Sequence, residues 1–183
     1  MFLRFNEMKA TQAASFFLSL RGGRMHYIKL IKLLYLADRA ALLRWGAPIT
    51  NDRFVSMDHG PVVSTVLDLI TKDINKAVWS KFISEPFGDD EIELRQEAPV
   101  DHLSRAEESL LREIYAEYGY RSRWDIIDNV MHKLPEWKDP HGSSIPIKIR
   151  QILEVGGANE KEIQAVLDEL RASRDAEDAL SNI

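Results

Sequence analysis

Apolar residues return along this chain at the spacing of a helix face far more often than in strict alternation. Ala10, Ala13, Ala14, Phe17 and Leu20 form one such stripe behind Asn6, a residue of the N-cap type, and Gly22 and Gly23 stop it. The next predicted helix runs from about His26 to Trp45. Ile28, Ile31, Leu34, Tyr35, Leu36, Leu42 and Leu43 leave little of its circumference polar, which places it at the centre with other helices around it. Lys29, Lys32 and Arg39 read as polar positions at the edge of that helix.

Gly46, Pro48, Asn51 and Asp52 interrupt the pattern. Pro61, after Asp58 and Gly60, suits the first position of a third helix carrying Val63, Val66, Leu67 and Ile70. Between Trp79 and Arg95 the period changes. Phe87, Gly88, Asp89 and Asp90 signal a turn, and Ile92 and Leu94 alternate with Glu91, Glu93 and Arg95, which predicts a β-hairpin. Ser104 and Glu107 have capping-box spacing ahead of Leu110, Leu111, Ile114, Tyr115 and Tyr118, and Gly119 ends that helix. Ser122 caps a fifth, with Trp124, Ile127, Val130 and Met131 inside. The C-terminal helices span 146–176: Pro146 opens a short one closed by Gly156 and Gly157, and Asn159 caps the last, with Ile163, Val166, Leu167 and Leu170 on one face. The tail 177–183 is expected to be loose. The predicted fold is mainly α, a single helical domain over 1–183 of about seven helices with one small inserted β-hairpin.

Composition narrows the function more than it shapes the fold. At 183 residues the chain suits one core, and 45% hydrophobic with 29% charged residues is the balance of a folded protein. A formal charge of −5 opposes a life of phosphate contacts, so nucleic acid is a disfavoured partner. The absence of cysteine removes disulfides, thiolate nucleophiles and thiolate metal sites, and fits the cytoplasm. Neither a secretory leader nor a membrane-spanning run of about 18 apolar residues is expected.

The chemistry is sparse. His26, His59, His102, His132 and His141 do not stand at the spacing of a helical metal pair, and no nucleophile elbow, phosphate loop or dinucleotide fingerprint occurs. No enzyme, cofactor or metal is therefore expected. The carboxylates Asp89, Asp90, Glu91 and Glu93 lack calcium-loop spacing and read as a solvated hairpin tip. The segment 104–133 is helix, glycine turn, helix, with Arg121, Ser122 and Arg123 where a recognition helix would begin; a DNA-binding transcriptional regulator is thus the second reading. A metal-dependent enzyme built around His59 and His132 is the third.

Three stretches are more specific: Lys29-Leu30-Ile31-Lys32-Leu33-Leu34-Tyr35-Leu36-Ala37-Asp38-Arg39, Trp45-Gly46-Ala47-Pro48-Ile49-Thr50 and Met57-Asp58-His59-Gly60-Pro61-Val62-Val63, with an extended segment at Phe54–Met57 before the last. In this order they resemble the Panacea domain of SocA-like antitoxins and phage-associated proteins. His132-Lys133-Leu134-Pro135-Glu136-Trp137 is similar to the later H-x-x-P-x-W region of that family, so the resemblance covers about 10–137. It implies a mostly helical fold and an antitoxin of a bacterial toxin–antitoxin pair that neutralises its cognate toxin by direct contact. For some members it also implies delivery of the toxin to a Clp-type protease. Toxin identity does not carry over, and oligomeric state stays open.

Physical chemistry assigns the motif residues their expected duties. Tyr35 and Trp45 read as core aromatics with a hydrogen-bonded polar edge. Asp38 and Arg39 adjoin on a helix, point in different directions and serve different partners, organising the segment from Thr50 to Asp58. Gly46, Pro48, Gly60, Pro61, Val62 and His132 belong to the scaffold. A toxin-binding surface is expected on loops over it: Asp52, Arg53, Met57, Asp58 and His59, joined by Trp137 and Lys138.

Overall fold

Asn6 opens the first helix through its own side chain, whose Oδ1 accepts from the N–H of Lys9, and α1 runs Glu7–Leu20. The computed structural model describes residues 3–181. A short strand β1, Arg24–His26, leads into α2, Tyr27–Trp45, capped at its start by His26 and at its end by Gly46 with φ +75°. Leu30, Leu33, Leu34, Tyr35, Ala37 and Ala41 of α2 are buried, and α1 and the later helices Arg105–Tyr118, Arg123–Asn129 and Ile149–Val155 all pack on it. The central helix is where its nearly continuous apolar circumference put it.

After α2 the chain departs from the helical expectation. Phe54–Met57 (β2) and Gly60–Val63 (β3) form an antiparallel hairpin turned at Asp58 and His59, and β5, Ile145–Ile147, adds to the other side of β2. Pro61 therefore stands in a strand and not at a helix start. β3 is an edge strand, where a residue without an N–H is tolerated. Helix α3 begins three residues later, Ser64–Thr71, with Asp52 supplying the cap acceptor.

The hairpin expected between Trp79 and Arg95 is corrected in two ways. Trp79 lies in a helix, α4, Ala77–Phe82, which raises the count from about seven to eight α-helices among the described residues. The strand β4, Glu91–Glu93, pairs with β1 in the register Arg24↔Glu93, a partner far away in sequence. The chain does fold back at Phe87–Asp90, closed by single bridges Ile83↔Leu94 and Phe87↔Glu91. The molecule is mainly helical with two small antiparallel sheets, of two and three strands.

Ser104 and Glu107 complete their capping box at the head of α5, Arg105–Tyr118, and Ser122 caps α6, Arg123–Asn129. A single 3-10 turn, Met131–Lys133, follows. Pro146 sits in β5, so the short helix α7 starts later, Ile149–Val155. The last helix, α8, is capped by Asn159 and runs Glu160–Ser181, so the expected loose tail is helical through 181, with 182–183 outside the described residues. Among the described residues no helix is long and apolar enough to cross a membrane.

Candidate functional site

Of the three cations expected at the edge of α2, Arg39 is part-buried and the two lysines lie inside the molecule. Lys29 and Lys32 are 7% and 1% exposed, and Asp38 is fully buried. Each is accounted for by a hydrogen bond to another segment, as buried polar groups must be. Lys32 Nζ donates to the carbonyls of Gly60 and Pro61 at 3.0 and 2.9 Å, holding β3 against the helix, and burial lowers its amine to about 7. Asp38 accepts from the backbone N–H of Ile49 and Thr50 at 2.8 and 3.0 Å and from the Thr50 hydroxyl. Burial pushes its carboxyl up to about 7 against the pull of those donors. The Gly46–Thr50 turn, with Pro48 buried inside it, is thereby nailed to the helix.

Arg39 takes a different partner from Asp38. Its Nε lies 2.6 Å from Oε1 of Glu136 and its Nη2 3.2 Å from Oε2, while the Tyr35 hydroxyl donates to the same Oε1 at 2.8 Å. Glu136 has no exposed side-chain surface. Burial and this neighbouring carboxylate hold the Tyr35 phenol well above its ordinary range. The 131–142 segment is thus anchored from below on α2.

From above, the same segment grips the β2–β3 turn. Trp137 Nε1 donates to the Met57 carbonyl at 3.0 Å, His132 Nε2 donates to the Asp58 carbonyl at 2.8 Å, and their rings stack with centroids 4.3 Å apart. The Lys138 N–H donates to Ser56 Oγ and the Gly142 N–H to Asp58 Oδ1. Gly60 completes the lock. It has φ +91°, and a Cβ there would lie 2.4 Å from Cβ of Met131.

What this scaffold presents is a cleft of about 250 Å³ between the first turns of α2 and the hairpin. Ile28, Ile31, Val62 and Leu67 make it apolar, Tyr27 and Met57 flank it, and exposed Asp58 and His59 stand at its mouth. Apolar walls with a few convergent polar groups are the composition of recognition sites.

A family model of the antitoxin SocA-like Panacea domain matches residues 30–138. This chain belongs to the SocA-like Panacea family. The matched span holds most of the cleft and the anchors Lys32, Tyr35, Asp38, Arg39, the hairpin, Glu136 and Trp137. No curated protein sequence and no solved structure matches the chain.

Within this Panacea domain the expected contact residues separate into groups. Met57, Asp58 and His59 line the cleft, with Trp137 and Lys138 bonded directly behind them. Arg53 is exposed at the opposite end of the hairpin. Asp52 is 6% exposed, its carboxylate committed to the N–H groups of Arg53, Thr65 and Val66, so it caps α3 and presents nothing to solvent. Tyr35 is a core aromatic, whereas Trp45 is 44% exposed. Glu136 was not singled out by the sequence, and Lys32 was placed at the helix edge and not under the hairpin. The signal available for Glu136 was its place inside the H-x-x-P-x-W stretch.

The helix pair of the DNA-binding reading is a weak reader of a groove. α6 has seven residues, carries Asp125 and Asp128, and Arg121 pairs with Asp125. His59 meets the Trp124 ring edge-on while His132 faces the Asp58 carbonyl, so the two histidines of the metal reading have separate partners. Among the described residues no group of three histidine or carboxylate side chains comes together to hold a metal.

Proposed function

We propose that this protein is an antitoxin that neutralises its cognate toxin by direct contact through the face around the β2–β3 turn, with no catalysis of its own. The observation that carries the reading is the immobilised cleft: Met57, Asp58 and His59 surround an apolar opening, the carbonyls of Met57 and Asp58 are held by Trp137 and His132, and Lys32 holds the adjoining Gly60 and Pro61. A surface already fixed in shape loses little conformational freedom on binding, which is how a small apolar opening becomes an anchor site. The family to which the chain belongs supports a toxin as the partner. Stable occlusion of a toxin needs roughly 1,200–2,000 Å² of contact, so the footprint extends beyond the cleft. The proposal stops at occlusion and leaves out hand-over to a Clp-type protease.

Co-expression tests it. The product of the neighbouring gene is expressed alone, with this chain, and with its Met57→Ala/His59→Ala variant. Growth arrest relieved by the native chain and not by the variant supports the reading, and a neighbour that is harmless alone, or untouched by co-expression, defeats it.

A further inference from the structure

A second cleft, of about 450 Å³, lies where the α1–β1 turn meets the start of α6. Its lining carries the cations Arg21, Arg24, Lys29, Arg121 and Arg123 against the carboxylate of Glu91, in a chain of net charge −5. Arg24 pairs with Glu91, Arg121 with Asp125 and Arg123 with Asp89, surface pairs of the kind an incoming carboxylate can replace. Arg21 forms no ion pair among the described residues. It stands close enough to Lys29 to depress that ammonium further, after burial, while Lys29 Nζ donates to the Gly119 carbonyl. Two of these five cations, Arg21 and Lys29, thus have no ion pair among the described residues.

Two large aromatic rings stand at the lip of this cleft in water, Tyr120 at 84% and Trp124 at 54% exposure. Trp124 was expected inside the α6 stripe. Arginine, tryptophan and tyrosine are the side chains on which protein interfaces concentrate their binding energy. The walls of this cleft and the apolar one touch. His26 on its wall stacks on Tyr27 of the apolar cleft, and Trp124 meets His59 edge-on at 6.2 Å.

We propose that this basic, aromatic-lipped cleft is the second half of the toxin-docking surface and receives an acidic segment of the toxin, whose neighbouring apolar side chain enters the cleft beside Met57. The proposal rests on the antitoxin reading. A nucleic acid is the less favoured occupant, because Asp89 and Asp125, paired with Arg123 and Arg121, border the cationic patch and oppose an extended phosphate backbone, whereas a short acidic stretch fits between them.

Fluorescence anisotropy on the full chain tests it with three probes: a labelled glutamate-rich peptide with a central tryptophan, its glutamine counterpart, and a labelled single-stranded oligothymidylate. The native chain is expected to bind the glutamate peptide over the glutamine one and to weaken with salt. The Arg21→Glu/Arg121→Glu variant, shown by its melting temperature to be folded, is expected to lose about tenfold or more in affinity. Equal binding of the two peptides, an unaffected variant, or tighter binding of the oligonucleotide overturns the proposal. Binding of the neighbouring gene's product distinguishes this docking role from the antitoxin role. If it binds the charge-reversed chain as tightly as the native one, the docking role of this cleft fails and the antitoxin reading stands. If it binds neither, the antitoxin reading fails and the toxin is removed as the occupant.

Discussion

The Tyr35 hydroxyl lies 2.8 Å from Oε1 of Glu136, joining the central helix to a segment 101 residues away. Arg39 grips the same carboxylate, so one buried glutamate is satisfied by a phenol and a guanidinium from successive turns of α2. Trp137, the next residue, then reaches the Met57 carbonyl. The route from core helix to cleft rim is therefore two residues long, and the two halves of the family motif are physically one device.

Removing the carboxylate should be costly. Glu136→Ala leaves Arg39, whose side chain is 20% exposed, without its partner, and the loss in urea denaturation is expected at about 3 kcal/mol. Tyr35→Phe deletes only a donor and should cost about 1 kcal/mol. A Glu136→Ala variant as stable as the parent contradicts the anchoring role.

Gly60→Ala meets two obstacles, the positive φ and the 2.4 Å approach to Met131 Cβ. The expected loss is about 3 kcal/mol. Met131→Ala retains its Cβ and is costly by itself, because Met131 is fully buried. Methionine also packs its Cγ 3.2 Å from where the alanine Cβ would lie, so Gly60→Ala/Met131→Ala should cost less than the sum of the single losses, and strict additivity would count against the clash.

Lys32 gives a pH signature. Its folded amine titrates at about 7 against an ordinary 10.5, so between those values the unfolded chain holds a proton that the native chain lacks. Stability contributed through this group therefore rises with pH across that window, by at most about 1.4 kcal/mol per pH unit. Asp38, raised to about 7, acts in the opposite sense below that pH, which is why the measurement belongs above it. Urea midpoints from pH 7 to 10 should climb more steeply in the native protein than in Lys32→Met. Parallel slopes contradict the assignment.

Elements set by local chemistry were readable in the sequence. Asn6, Ser104 with Glu107, Ser122 and Asn159 all cap the helices expected of them, because a cap is settled within a few residues. The extended segment expected at Phe54–Met57 is β2, but its pairing with β3 was hidden, because Gly60 and Pro61 read as the start of a helix and all four residues of β3 are buried, so hydropathy does not alternate. Pro61 misled because an edge strand and a helix start both accept it. β4 was seen as a strand, but its partner β1 is a long-range choice that no periodicity carries. At the site, Met57, Asp58, His59 and Trp137 could be picked as loop residues of recognition type. The buried charges of Lys32 and Glu136 could not, because burial of a charge is decided by the segments that fold over it.

Calorimetric titration of the purified chain with the neighbouring gene's product tests the central claim most directly. The account predicts a saturable complex with the native protein, weakened at least about tenfold by Met57→Ala/His59→Ala at unchanged melting temperature. A complex of equal affinity with that variant would contradict it, since the toxin would then be held by some other face.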